Sequence, residues 1–307
     1  MKRREFLEKS AALGILAAIP ASLRAASTRG KPAAGTSPAA RLHAPATGSI
    51  PVAFLVSDGA VIIDFCGPWE VFQDVYIPGR NDAAFRLYTV AETAAPIHAS
   101  AGMQIVPDST FENAPAPKVI VIPAQQGKSD ATLAWIRKSA AAADVTMSVC
   151  TGAFLLARTG LLAGKAATTH HGSYSQFEME FPDVRLKRGA RFVDEGSLAS
   201  AGGLSSGIDL AMHVVERYFG RDRADHTADY MEYQGRGWTD DSSNRAYAKA
   251  FVSTDAHPLC TICGMDIDRA KSPKSIYRKK TYYFCSQAHK DQFDEAPEKW
   301  VSNGVKP

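Results

Sequence analysis

At 307 residues the chain exceeds what one hydrophobic core usually fills, so two folded regions are expected. A composition of 45% apolar and 22% charged residues is that of a soluble globular protein, and 17 Pro with 23 Gly excludes a fibrous one. Five cysteines are too few for a disulfide scaffold, and their odd number leaves at least one thiol outside any internal pairing.

The formal charge of +3 is carried by the first 26 residues, where five basic side chains outnumber two acidic ones. Met1–Ala26 has a basic start, an apolar run from Ala11 to Ala21 and small residues at Ala25 and Ala26 suited to cleavage. The apolar run is well short of the roughly 20 residues that span a bilayer, so no stable membrane insertion is expected. Arg3-Arg4-Glu5-Phe6-Leu7 resembles a twin-arginine export signal, which implies passage through the twin-arginine translocase and a periplasmic mature protein. Without this segment the formal charge is zero, and no nucleic-acid partner is indicated. Residues 27–50 are dominated by Ala, Pro, Gly, Ser and Thr and read as a disordered linker.

From residue 51 strands and helices alternate. Val52–Val56, Phe85–Ala91, Val119–Ile122 and Val145–Val149 are short apolar runs suited to buried parallel strands. Helices are expected over Asp64–Val75, from Ser129 as N-cap to about Ala142, over Gly152–Thr159 and over Ser206–Phe219 with Gly220 as its C-cap. Arg191–Asp194 and Ser197–Ala201 flank Glu195-Gly196 as a hairpin, and a further helix is expected over about Ala224–Tyr233. This alternation predicts a mostly parallel sheet covered on both faces across residues 51–250.

The chemical signal lies at Ser148–Ala153, where a strand runs into Cys150 and a helix starts within two residues. A sharp strand-to-helix turn lifts such a side chain above the strand ends as a nucleophile. The helix N-terminus is expected to favour thiolate, and the Thr151 N–H to serve as half of an oxyanion hole. A buried packing cysteine is the competing reading of Cys150, and packing is the simplest reading of Cys66.

Three stretches, Asp58–Phe72, Ser148–His171 and Ser200–Gly220, resemble the ThiJ/PfpI superfamily, a glutamine-amidotransferase-like group, and within it the isonitrile-hydratase-like branch. The resemblance implies a flavodoxin-like three-layer α/β/α sandwich, often a homodimer, acting on a small-molecule substrate with no cofactor in the α/β region. It matches Cys150 to the family nucleophile, His170 to a nearby histidine, Asp64 to the acidic residue at the sulfur and Thr151 to a hydratase-branch residue. His171 stands where that branch has a tryptophan. Pro123-Ala124-Gln125-Gln126-Gly127 replaces the usual Pro-Gly-Gly, and the second oxyanion donor is then expected from Ala124 or Gln125, or is absent.

Residues 251–307 read as a separate module. Cys260-x2-Cys263 and Cys285-x3-His289 are two close pairs of soft ligands suited to one tetrahedral metal. Their surroundings, Cys263-Gly264-Met265, Lys280–Cys285, Phe293 and Pro297–Trp300, resemble a YHS domain and the related TRASH-type fold. Zinc is the first expectation and copper(I) the alternative, with Met265 a further soft donor and His257 a substitute ligand. A Cys260–Cys263 disulfide is the competing reading. The sequence thus points to an exported cysteine-dependent hydrolase or hydratase with a metal-binding module. The alternative is a non-catalytic metal-handling or ligand- and redox-sensing protein.

Overall fold

The computed structural model describes residues 40–249, 253–255 and 258–302. The export signal, residues 27–39 and His257 lie outside the described residues. The first half of the body contributes β1 (Ile50–Leu55), α1 (Ile62–Gln73), β2 (Phe85–Ala91), β3 (Ile97–His98), β4 (Gln104–Ile105), β5 (Ser109–Thr110) and β6 (Val119–Ile122). There follow α2 (Asp130–Ala140), β7 (Val145–Val149), α3 (Gly152–Arg158), β8 (Ala166–Ala167), α4 (Tyr174–Glu180) and β9 (Arg185–Leu186). The body ends with β10 (Phe192–Asp194), β11 (Leu198–Ala201), α5 (Ser206–Phe219) and α6 (Arg221–Tyr230).

Seven strands form one sheet in the order β10-β11-β7-β6-β1-β2-β5, parallel throughout except for the β10–β11 hairpin. Alternate residues of β1 feed opposite cores: Val52 and Phe54 join α1, α5 and α6 on one face, and Ala53 and Leu55 join α2, α3 and α4 on the other. This is the expected flavodoxin-like α/β/α sandwich. Continuous apolar runs form its central strands because both faces are covered. Ser129 caps α2 through its hydroxyl, which accepts the Thr132 N–H at 3.1 Å.

Two local features differ from the sequence reading. The linker expected to be disordered over 27–50 is ordered over 40–49: the Leu42 N–H donates to Arg217 O at 2.8 Å, and Leu42 and Ala44 pack on the core. Helix α1 starts two residues earlier than expected, at Ile62, with Pro68 inside it. Small residues then set how closely α1 and α5 approach. A Cβ on Gly67 would lie 2.8 Å from Ile208, and one on Gly207 would lie 2.9 Å from Val149. The first turn of α1 meets the segment after β6, where the Asp64 carboxylate accepts the Ala124 N–H.

The C-terminal region holds β12 (Lys274–Tyr277) and β13 (Lys280–Tyr283) as an antiparallel ribbon, then α7 (Gln287–Glu295) and α8 (Pro297–Ser302). Its small core gathers Ile262, Tyr282, Phe284, Phe293 and Trp300 around Cys260 and Cys263, and Met179 of α4 packs against it. Residues 38–307 form one compact unit, so this region folds against the body rather than standing free.

Candidate active site and metal centre

Cys150 leaves β7 with φ of +58°, a left-handed backbone that non-glycine residues rarely adopt. The next turn demands it, because α3 begins under the β6 loop: a Cβ on Gly152 would sit 2.2 Å from Ile122 O. The Cys150 N–H is anchored to Gly202 O at 2.9 Å, and Thr169 Oγ1 donates to Cys150 O at 2.9 Å. Strain held this firmly is a mark of functional positions.

The backbone N–H groups of Leu204 and Thr151 and the Thr151 hydroxyl lie toward the sulfur and act to pull its thiol down. Leu204 was not singled out in the sequence. It follows Gly202-Gly203 and has a strained φ of +28°, so the glycine pair was the available signal. This loop is braced from outside. The Arg191 guanidinium binds the fully buried Asp209, and donates to Ser205 Oγ and to Asn244 Oδ1 at 3.1 and 3.2 Å.

Asp64 is fully buried. Its Oδ2 accepts the Ala124 N–H at 3.1 Å, while Oδ1 has no hydrogen-bond partner. Burial pushes the carboxyl up to about 7, against the Ala124 hydrogen bond. The Ala124 N–H, one of the two oxyanion donors that the sequence leaves open, is therefore engaged by Asp64. Gln125 presents instead a buried side-chain Nε2 without a partner, its Oε1 being held by Ser57 Oγ at 2.9 Å.

The expectation of a depressed thiol is corrected. Cys150 is 6% exposed, and burial pushes its thiol up to about 12, with the nearby Asp64 charge adding to the rise. Desolvation outweighs the opposing N–H donors and the short helix α3. His170 Nδ1 accepts the Gly172 N–H at 3.2 Å, and burial holds the ring neutral with a pKa near about 4, so Nε2 carries the proton. In this tautomer the Nε2 N–H of His170 is a hydrogen-bond donor. His171 stacks between His170 and Tyr247, with ring centroids 4.3 and 4.9 Å away. Cys66 is half-buried beside the core, as a packing residue would be.

The second cluster is Cys260, Cys263, Cys285 and His289, whose donor atoms all lie within 4.8 Å of one another. Cys260 and Cys263 sit on a tight knuckle closed by the Gly264 N–H on Cys260 O at 2.9 Å. Cys285 follows β13, and His289 lies in the first turn of α7, where Ser286 caps its N–H. Cys263 and Cys285 sulfurs are 3.6 Å apart, Cys260 Sγ is 3.6 Å from His289 Nδ1, and Cys285 Sγ is 3.2 Å from it. Zinc–sulfur bonds of about 2.3 Å give tetrahedral edges of about 3.8 Å, so the four donors fit a tetrahedral soft-metal ion with little movement. The neighbouring Cys263 thiol holds the Cys260 thiol down, while the same neighbour and burial push Cys263 up. A bound cation would remove this competition among thiolates. Met265 is exposed.

A parallel-sheet sandwich with a strained cysteine turn above the strand ends defines the flavodoxin-like α/β class to which amidotransferase-like proteins belong. Residues 51–217 match the DJ-1/PfpI family, and the chain belongs to it. Residues 261–303 match the YHS domain. The chain is 31% identical over 190 residues to isonitrile hydratase from Pseudomonas putida, covering 60% of this chain and 79% of that protein. It is 25% identical over 188 residues to the HTH-type transcriptional regulator GbdR from Pseudomonas aeruginosa, covering 60% of this chain and half of the regulator. Among solved structures, a ThiJ/PfpI family protein from Pseudomonas syringae superposes with TM-score 0.53 at 26% identity, over 61% and 76% of the two chains.

Proposed function

We propose that the protein is a cysteine-dependent hydratase or hydrolase that acts on a small electrophilic carbon, and that an isonitrile is the substrate class the site suits best. The carrying observation is the strained Cys150 set against the buried Asp64, whose carboxyl titrates at about 7. A thiol held protonated is a poor free nucleophile, but an isonitrile carbon accepts both a proton and a sulfur. Asp64 delivers its proton to that carbon as the sulfur bonds to it, and then recovers the thiol proton. Water adds to the resulting thioimidate carbon, one water proton going to nitrogen. The C–S bond breaks, the remaining water proton returns to sulfur, and an N-formyl amine leaves. The sum is one isonitrile and one water to one formamide. Thr151 and the Leu204 N–H hold the sulfur in place through these steps.

Cys150→Ser should abolish formamide production from an alkyl isonitrile, a fall of about a thousandfold or more. Retention of most of the turnover in that variant overturns the reading. A second reading, a non-catalytic ligand or redox sensor, is favoured by the engagement of the Ala124 N–H with Asp64. It expects no turnover in the wild type and saturable isonitrile binding instead. The Cys3His cluster would hold zinc, or copper(I), and the metal's contribution there is structural. The same proposal includes homodimerisation and delivery to the periplasm through the twin-arginine route. It rests on Arg3-Arg4 for the latter, and replacing both with Lys should leave the protein in the cytoplasmic fraction. No helix among the described residues is long and apolar enough to cross a membrane.

A further inference from the structure

The C-terminal knuckle that carries two of the four soft ligands lies against the turn that carries His170. A Cβ on Gly172 would come within 3.0 Å of Cys263 O on one side and 3.2 Å of His170 Nδ1 on the other. A Cβ on Gly264 would come within 3.4 Å of Gly172 O. The two backbones therefore touch with no side chain between them. Inward from Gly172, the His170 ring edge rests on Gly203, where a Cβ would meet Cδ2 at 2.7 Å, and the adjoining Leu204 N–H lies toward the Cys150 sulfur. The Ser173 N–H returns to His170 O at 2.9 Å, closing the turn. Tyr247 on His171 and Met179 on the knuckle's core brace the contact from either side.

We propose that the Cys260–Gly264 knuckle is an outer wall of the Cys150 site, and that metal bound by Cys260, Cys263, Cys285 and His289 holds the His170–Ser173 turn against the nucleophile. Cys263 thus has two roles: its sulfur is a ligand, and its carbonyl positions Gly172. Metal release frees the knuckle, lets the turn move and opens the path to a sulfur that is otherwise almost fully covered. This rests on the metal-binding reading of the cluster.

The test uses the full chain under reducing conditions, loaded with zinc sulfate or stripped with a chelator, with metal content measured in both. Iodoacetamide modification is followed on the Cys150 peptide by mass spectrometry, and backbone amide exchange is followed over residues 170–174 and over β7. The stripped protein should be alkylated at Cys150 about tenfold faster, with faster exchange in 170–174 and unchanged exchange in β7. Gly172→Ala, whose backbone lies outside the left-handed region, should raise the alkylation rate several-fold, about threefold, in the zinc-loaded protein. A Cys150 rate within about twofold in both comparisons, with zinc bound and released as intended, overturns the inference and leaves the metal reading intact. Exchange that rises in β7 as much as in the turn overturns it too, because the effect is then global loosening. Failure to take up zinc sinks the metal reading, and the inference with it.

Discussion

Removing the metal from the C-terminal region, or replacing Cys285 with Ser, should unfold residues 258–302 while the seven-stranded sheet keeps its protection. The region buries few large side chains: Ile262, Tyr282, Phe284, Phe293 and Trp300, grouped round the two knuckle cysteines. A fold of this size has too little apolar core to offset its ordering entropy and generally needs a metal or a disulfide as well. Structural zinc supplies on the order of 10 kcal/mol to small modules, more than such a core can replace. Amide exchange by mass spectrometry reads this directly. Peptides covering β12, β13 and α7 should lose protection on chelation, while β1, β6 and β7 do not change. Protection that persists in metal-free Cys285→Ser means that the apolar core and the contact with Met179 suffice without a metal. A disulfide would give a different signature, resistant to chelation and sensitive to reductant. The Cys263 and Cys285 sulfurs lie 3.6 Å apart, so oxidation could link these two as well as Cys260 with Cys263.

Much of the architecture was legible because burial writes itself plainly into strands covered on both faces. Val119–Ile122 and Val145–Val149 are uninterrupted apolar runs, and each is a central strand with the bounds read from sequence. The β10–β11 hairpin and α5 followed from turn chemistry and a helical stripe, in which Met212 and Val215 are fully buried. The short ribbons β3–β4 and β8–β9 have two residues per strand, too few to show any period. At the site, the strand-turn-helix pattern located Cys150, but its protonation was not legible. A helix N-terminus can be read from sequence, whereas the burial that overrides it comes from packing of residues distant along the chain, with the Asp64 charge adding to it. The same holds for Ala124: its N–H was available on paper and is taken up by a carboxyl 60 residues earlier. Contact between Gly172 and Cys263 joins regions that the sequence reads as separate, and only folding brings them together.

Asp64→Asn should make the protein more stable relative to wild type as pH rises, by on the order of 3 kcal/mol between about pH 5 and about pH 9. The carboxyl is raised from 3.8 to about 7 by burial, so the folded state binds this proton more tightly than the unfolded chain does. Its contribution is complete below the unfolded value and is lost as pH climbs through about 7, where a charge must be carried in the core. Asparagine is neutral throughout and keeps a carbonyl oxygen for the Ala124 N–H, so it escapes that cost. Its amide N–H groups gain no partner beyond the one that Oδ1 already lacks, a penalty that does not change with pH. The measurement is urea unfolding of both proteins across this range. A stability difference that is flat with pH would show that Asp64 titrates as an ordinary carboxyl and cannot hold a proton for the substrate near neutrality. Activity separates the roles further. If Asp64 is the proton carrier, Asp64→Asn loses about a hundredfold or more in isonitrile turnover even where it is the more stable protein. The pH dependence of stability should survive in Cys150→Ser, because the thiol remains protonated up to about 12 and does not charge the site over this range. On the proposed mechanism the Asp64 carboxyl, raised by burial to about 7, is then the group that carries the proton to the substrate carbon.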